Sequence, residues 1–436
     1  MIDDIEAAMR ELVELYSRDD LAGALSQAEE VLLADPDNPL ALLVKGVIAE
    51  REGRHLGARE LLERAVSVAP EYGDAHNSLG IVLFRLGQSE EAGRRFARAM
   101  ALSPKDSRPR TNLANLRRVE GRVTEARSLY EKAIALNGGD IEALTNLAML
   151  ALEEKKVAEA RTLTEKAYAA HESALTCYAL GVVALKQDDV ATATRLLGRA
   201  VELDPRDRRG AGLRLASIGA AALPERASPD HVAQLFDGMA DGYDKWLVDR
   251  LRYSGPAAVA EALDSVRPDR KLRILDLGCG TGLSGQALRP KASVLEGVDL
   301  SARMVRIAET RRVYDRLEVG DLLSTLERHE GSWDALTAVD VFVYHGDLEG
   351  PLRACRRALA PGGVLVFTLE EADPQALTGE ATYLIQSTGR FAHAPESIQP
   401  LLASTGFRTT LLESISIRKE EGKPAPGLVI VAEVSP

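Results

Sequence analysis

The sequence predicts a multidomain protein in which an all-α solenoid precedes an α/β domain with a parallel sheet and a terminal antiparallel hairpin. Three observations carry this reading. Residues 1 to about 209 repeat: Ala58, Ala92, Ala126 and Ala160 stand 34 residues apart, and Ala193 follows after 33. The apolar run 271–275 leads into Asp276-Leu277-Gly278-Cys279-Gly280-Thr281-Gly282. A buried strand ending in alternating glycines leaves backbone bare enough to lie against a ligand. Near the end, apolar segments 411–417 and 428–434 are joined by the charged stretch 418–426. That stretch is too short for a helical crossover, so the two strands should be antiparallel neighbours.

A chain of 436 residues suits two or three domains. Its 45% hydrophobic and 28% charged residues are those of a globular protein, and only 4% aromatic content implies an aliphatic core. The net charge of -12 argues against binding nucleic acid by charge neutralisation. Arg206, Arg208, Arg209 and Arg214 read as a solvated helix face. The three cysteines form no CxxC pair and the seven histidines are scattered, so neither a disulfide framework nor a metal cluster is expected. No apolar run reaches the eighteen residues of a membrane span. The acidic N-terminus lacks a signal-peptide core, which makes the cytoplasm the expected location.

Each 34-residue unit reads as two antiparallel helices. Small residues recur where helices cross: Gly46, Gly80, Ala114, Ala148 and Gly181 in the first helix, Ala65, Ala99, Ala133, Ala167 and Ala200 in the second. Leu79, Phe96, Leu113, Tyr130 and Leu147 fill the space between units. Gly53, Gly87 and Gly121 permit the break between helices, and Pro36, Pro70, Pro104 and Pro205 close units. One pair cannot bury its own apolar face, so units must stack. A coiled coil is rejected by this period and these turn residues; a generic helical bundle would not repeat.

The pattern Leu79-Gly80, Ala92, Phe96, Pro104 resembles the tetratricopeptide repeat, with six units starting near 7, 41, 75, 109, 143 and 176, the first and fifth degenerate. The resemblance implies a concave groove lined by the first helix of each unit, and a protein or peptide partner. Asn112, Asn115 and Asn146 fall on that helix. In this family asparagines there can hydrogen-bond the backbone of an extended peptide; the alternative is plain surface polarity. A polar-faced capping helix is expected at 206–221, which places the array at 1–221. Residues 222–230, with Pro224 and Pro229, read as a linker.

From 231 to 436 helices and strands alternate. Helices are expected at 231–251 and 256–264, from Leu283, at 302–311 and at 348–359. Strands are expected at 272–277, 293–299, 315–319, 334–339 and 364–369. Asp299 stands seventeen residues after Gly282, at the tip of the second strand, where a carboxylate accepts hydrogen bonds from ribose hydroxyls. Gly280-x-Gly282-x-x-Gly285 formally matches a dinucleotide-binding fingerprint. The strand ends before Gly278, however, and counting from Gly278 puts Leu283 in the third glycine position, so that match fails.

Asp-x-Gly-x-Gly-x-Gly with Asp299, Asp321, Pro361-Gly362-Gly363 and the closing hairpin resembles the Rossmann-like, class I methyltransferases that use S-adenosylmethionine. The stretch 236–244 resembles their leading helix. Gly389-Arg390-Phe391-Ala392-His393 and 418–428 resemble a group of bacterial methyltransferases fused to tetratricopeptide repeats, which covers essentially the whole chain. The resemblance implies a cofactor site made by Gly278, Gly280, Gly282, Cys279, Asp276, Asp299 (ribose), Leu300 and Met304 (adenine face), Asp321 and Leu322 (adenine edge), Val339 and Tyr243. Cys279 has no base or cation nearby to activate it as a nucleophile. On the acceptor side it implies Tyr344 and His345, with Tyr383, Arg390 and His393 from a later insertion. His345 is the candidate general base. The expected activity is methyl transfer with the repeats recruiting a protein or peptide, possibly the acceptor itself. The alternatives are a small-metabolite acceptor with the repeats serving assembly, and a non-catalytic scaffold. The absence of an Asn/Asp-Pro-Pro-aromatic signature, in whose place stands Asp340-Val341-Phe342-Val343, makes amino-base DNA methylation unexpected.

Overall fold

The computed structural model describes residues 2–435 except 241, 269, 378, 380, 387, 421 and 422; side chains of 2–5, 249, 250, 419, 420 and 423 are also left aside. Asp241 of the leading-helix motif and Glu421 and Gly422 of the charged stretch lie outside the described residues. The chain divides into two compact units, Met1–Glu172 and Ser173–Pro436.

In the first unit the described residues form five antiparallel helix pairs. They are α1 (Ile2–Ser17) with α2 (Leu21–Ala34), α3 (Pro39–Arg51) with α4 (His55–Val68), α5 (Gly73–Arg85) with α6 (Ser89–Leu102), α7 (Arg108–Val119) with α8 (Val123–Leu136), and α9 (Ile141–Glu153) with α10 (Val157–Ala170). Side-chain caps start several of them: Asp20, Asn38 and Asp140 each accept from a backbone N–H one turn into the helix. The turn inside each pair uses a left-handed residue at the same place in the repeat: Asp19, Gly53, Gly87, Gly121 and Lys155, all with positive φ. Glycine is missing there in the first and fifth pairs, which is the structural content of their degeneracy.

The small residues sit where helices touch. A Cβ on Gly80 would lie 2.6 Å from Phe96, and one on Gly46 would lie 2.7 Å from Leu62. Ala58, Ala92, Ala126 and Ala160 are fully buried. The groove asparagines bond to one another and to neighbours. Asn112 donates to Asn77 Oδ1 at 2.8 Å, and Asn146 donates to Asn115 Oδ1 at 2.8 Å. Asn115 also accepts from the Tyr130 hydroxyl and donates to Glu142.

The second unit begins with a sixth pair, α11 (Ala174–Leu185) and α12 (Val190–Leu203), and a short α13 (Ala211–Ser217). The expected helix over 231–251 is broken into α14 (Pro229–Met239) and α15 (Tyr243–Lys245), which runs into a π-helical turn, Trp246–Arg250. Gly242 at φ +79 makes the break, and Leu251 N donates to Trp246 O five residues back. Next come α16 (Gly255–Val266), β1 (Leu272–Leu277), α17 (Leu283–Leu288), β2 (Ala292–Asp299), α18 (Ala302–Arg311), β3 (Arg316–Val319), α19 (Leu322–Glu327), β4 (Trp333–Ala338), α20 (Glu349–Ala358) and β5 (Leu359–Glu371). The chain closes with β6 (Tyr383–Ile385), β7 (Phe391–His393), α21 (Pro395–Ser404), β8 (Phe407–Glu420) and β9 (Lys423–Val434).

Strands β3-β2-β1-β4-β5 are parallel, and β9 pairs antiparallel with β5 and β8. Leaving β1, the chain builds outward to β3 and then returns to the other side through β4. The crevice where the order reverses, above the carboxyl ends of β1 and β4, is where such sheets bind ligands. Glu370 of β5 pairs with Gly427 of β9 on one edge and with Ala392 of β7. β7 must therefore occupy the other edge, beyond the point where β4 ends at Ala338↔Phe367. The β6–β7 hairpin thus stands over the end of β4.

Besides the broken leading helix, the capping helix expected at 206–221 is confined to Ala211–Ser217, so Arg206, Arg208 and Arg209 lie before it, and three further features differ from the sequence expectation. The charged stretch 418–426 continues the β8–β9 ladder through Arg418↔Ala425 and Glu420↔Lys423 instead of forming a loop. Polar residues are tolerated there because Arg418 is buried in ion pairs with Asp340 and Glu370, while Pro424 and Pro426 further along are exposed. β5 starts at Leu359, five residues before its apolar core at Val364. The insertion holds two three-residue strands, too short for a period-2 pattern to show.

Candidate active site

A cavity opens above the ends of β1, β2, β3 and β4. Its floor is the turn after β1. Gly278 has φ +64, and a Cβ there would meet Val341 Cγ2 at 2.3 Å. Gly280 has φ +53, and a Cβ there would meet nothing within 4 Å, because that side of the backbone faces open space. The turn is held from below by Asp276, which is fully buried and lies outside the cavity lining. It accepts from Ser284 at 2.6 Å, Tyr314 at 2.7 Å and Thr337 at 2.8 Å. Burial pushes its carboxyl up, and those three hydroxyls pull the other way.

Asp299 holds the turn from the side. Its Oδ2 accepts from Gly280 N at 2.9 Å and its Oδ1 from Ser301 N at 2.8 Å, and it lines the cavity. Burial raises its pKa to about 6, against the two backbone donors. Asp321 caps α19 by accepting from Leu323 N and Ser324 N, while its other oxygen accepts from Arg226 at 3.1 Å. Asp340 follows β4 with φ +56, unusual for a side-chain-bearing residue. Its backbone N–H and carboxyl both bond the Thr368 hydroxyl, and Arg418 donates to it at 3.1 Å.

The roof comes from the broken leading helix. Phe236 and Tyr243 pack edge to face at 5.8 Å, Phe236 and Tyr344 at 5.6 Å, and all three line the cavity. Two carboxylates fasten this segment down. Asp237 accepts from Ser301 at 2.5 Å and from Arg303 N, and Asp244 accepts from Thr281 at 2.5 Å and pairs with Arg311. Burial pushes the phenol of Tyr243 up and that of Tyr344 to about 12, so both are neutral hydrogen-bonding groups at physiological pH.

The cavity brings together Tyr243, Gly278, Cys279, Gly280, Asp299, Leu300, Asp321, Leu322, Val339, Tyr344 and His345. Asp276, Gly282, Met304, Tyr383, Arg390 and His393 are outside its lining. Cys279 keeps its proton, its thiol pushed well up by burial and by Asp299. His345 is 7% exposed, and neither ring nitrogen has a hydrogen bond of good geometry. Burial, with Arg226 second, lowers its pKa to about 4, so the imidazole is neutral near pH 7 and a weak base. His393 Nε2 donates to Gly346 O at 3.0 Å, and Tyr383 packs on Phe391 at 5.8 Å.

Arg390 and Arg418 both pair with Glu370, which is 3% exposed. This network, Asp340–Arg418–Glu370–Arg390, ties the ends of β4, β5 and β8 to the insertion. Glu370→Leu removes the acceptor both guanidiniums share. It is expected to lower stability by about 3 kcal/mol, read as a shift in the denaturant midpoint at constant slope.

Sequence reasoning gave no role to Arg226, Asp237 or Asp244. Asp237 and Asp244 lie within the 236–244 motif, and two acids flanking paired glycines were the available signal. Arg226 stands in a segment read as a linker and gave none.

Residues 274–363 match the family described as methyltransferase domain, and 11–70, 49–116 and 120–174 match tetratricopeptide repeat families. A ubiquinone biosynthesis O-methyltransferase of Paracidovorax citrulli is 25% identical over 175 residues, 37% of this chain and 72% of that protein. Its counterpart in Xanthomonas oryzae pv. oryzae is 28% identical over 134 residues, 28% of this chain and 56% of that protein. The Burkholderia thailandensis 1,6-didemethyltoxoflavin-N1-methyltransferase, solved with S-adenosylhomocysteine, is 19% identical with a TM-score of 0.37, covering 50% of this chain and 94% of that one. The chain spans just over half of the Xanthomonas relative's length.

The fold and the matched domains define a tetratricopeptide-repeat protein carrying a methyltransferase domain. That domain is of the class I, Rossmann-like kind that takes its methyl group from S-adenosylmethionine.

Proposed function

We propose that the chain methylates a protein or peptide brought to it by the repeat array, functionally divided into repeats and cap at 1–221, a joining segment at 222–230 and a transferase at 231–436. The single observation that carries the cofactor reading is Asp299, which braces the bare turn at Gly280 and still faces the cavity. Asp299 would take the ribose hydroxyls, Asp321 and Leu322 the edge of the adenine, Leu300 its face, and Val339, Tyr243 and the turn the methionine end. Gly282, Met304 and Asp276 support this set from outside the lining. The space beside Gly280 and the two carboxylates facing it fit such a cofactor. S-adenosylmethionine, when bound, supplies a methyl group activated by a positively charged sulfur. The chain's own contribution is to orient the reactants and exclude water. Tyr344 and the neutral His345 are placed to accept or donate hydrogen bonds to an acceptor, with Tyr383, Arg390 and His393 holding the surrounding insertion.

Recruitment is supported by the repeats, which generally mediate protein–protein interaction, and by the first helices that carry Asn112, Asn115 and Asn146. A second reading, a small hydroxylated acceptor, is supported by the relatives, which are named as ubiquinone biosynthesis O-methyltransferases. The net charge of -12 supports neither nucleic acid nor an anionic membrane as partner. Among the described residues no helix is long and apolar enough to cross a membrane.

The full chain, incubated with methyl-labelled cofactor and separated protein and metabolite fractions of its host, distinguishes these readings. Label is expected in the protein fraction, and strongly reduced with Asp299→Asn at subsaturating cofactor. Label confined to metabolites would overturn recruitment of the acceptor in favour of the second reading.

A further inference from the structure

The segment joining the sixth helix pair to the transferase forms a wall of the cavity. Glu225 O accepts from Gly346 N at 2.7 Å and from Asp347 N at 3.0 Å, and Ala227 N donates to Tyr344 O at 2.8 Å. Arg226 and His345 form an antiparallel bridge. Residues 225–227 are therefore an added strand on the acceptor loop. The same segment is anchored on its other side. Ser228 donates to Arg206 O at 2.6 Å, and Ala227 and Val232 pack with Leu213, Ala216, Ile385 and Phe391. Arg226, Ala227, Pro229 and Val232 all line the cavity.

Three carboxylates, Asp299, Asp321 and Asp340, face this one cavity, and Arg226 is the one lysine or arginine among its described lining residues. Asp340 has Arg418 behind it, and Asp299 has two backbone donors. Arg226 serves Asp321: its guanidinium takes one carboxylate oxygen while the α19 backbone takes the other. A carboxylate held at both oxygens has a single orientation, and its remaining lone pairs point in defined directions.

We infer that Arg226 is a positioning residue that sets Asp321 for recognition of the nucleoside base, so that base specificity depends on the segment connecting the transferase to the repeats. The inference rests on the cofactor reading above, since it needs Asp321 to face the base. It goes beyond that reading by making the connection to the repeats part of the cofactor site.

The test is calorimetry on the full chain with S-adenosylhomocysteine and S-inosylhomocysteine, whose base lacks the amino group. Wild type should bind the adenosyl compound more tightly. Arg226→Ala should weaken adenosyl binding by about fivefold to tenfold and narrow the preference over the inosyl compound. Arg226→Lys should recover at least half of the lost affinity. In an Asp321→Asn background, Arg226→Ala should have little further effect, because the two act as a unit. Melting curves confirm that each variant is folded. Wild-type binding with an unchanged base preference in Arg226→Ala, or a lysine no better than alanine, would overturn the inference while leaving the cofactor reading intact. A wild-type chain that binds neither compound would defeat the cofactor reading itself. A merely structural role would lower both affinities together and leave their ratio unmoved.

Discussion

Gly278→Val should abolish cofactor binding, with a loss beyond about 100-fold in calorimetry. Two penalties combine. The backbone at φ +64 is left-handed, which costs a residue with a side chain about 1–2 kcal/mol. A Cβ would also stand 2.3 Å from Val341 Cγ2, and relieving that overlap costs about 1–3 kcal/mol more. Val341 cannot swing aside cheaply, because its χ1 is stiff and it follows Asp340, itself held by Thr368 and Arg418. The turn must therefore move, and with it Gly280 N, which meets Asp299. Gly278→Ala carries the same Cβ and should show a smaller loss of the same kind. Gly278→Val binding like wild type, with an unchanged melting temperature, would show that this turn is not the cofactor's seat.

The second large effect is at Asp299. Asp299→Asn keeps the shape of the side chain but replaces one acceptor oxygen by a donor NH2. That group cannot accept from Gly280 N or Ser301 N, nor accept both ribose hydroxyls. Loss of about 1.5–3 kcal/mol is expected, roughly 10- to 100-fold in affinity. The raised pKa gives a sharper check. With Asp299 at about 6, its carboxylate is progressively protonated as pH falls through 6, and affinity should drop about tenfold per unit below that point. Asp299→Asn should have a flat profile over the same range. Folding runs the opposite way. An aspartate whose folded pKa lies above its ordinary value of 3.8 destabilises the fold once ionised, so this group's contribution declines as pH rises from about 4 to about 6 and is constant above. A wild-type affinity independent of pH between 5 and 8 would remove Asp299 from ligand contact.

The opposing pH trends reflect a feature common to the floor of the cavity. Asp276 and Asp299 are both carboxyls pushed up by burial, yet they do different work. Asp276 spends its oxygens on three hydroxyls below the turn, while Asp299 bonds backbone N–H groups and remains at the cavity surface. One carboxylate therefore fixes the turn and the other presents it to a ligand. From sequence Asp276 could hold the glycine turn or reach the cofactor, because a strand-end aspartate looks the same whether its side chain points down or across.

Much of the architecture was legible because it depends on local rules. The spacing of Ala58, Ala92, Ala126 and Ala160 is a packing requirement repeated by each helix pair, and it holds as full burial of each. The apolar run into Asp276–Gly282 and the tips at Asp299 and Asp321 follow from parallel-strand geometry, so β1, β2 and the base of the cavity were in view from the residues alone. The leading helix was not: its break at Gly242 and its π-helical turn exist because Asp237 and Asp244 fasten it to α18 and the glycine turn, contacts 64 and 37 residues away in sequence. Residues 225–227 read as a linker because two prolines exclude helix, and nothing in that stretch announces that its backbone will pair with 344–347. The sequence by itself determined the repeat period, the parallel sheet and the bare turn, since these are set by neighbours along the chain. Which side chains meet across the cavity, and that a joining segment supplies its cation, were decided only by the tertiary fold, since hydrogen bonds between distant segments leave no periodic trace.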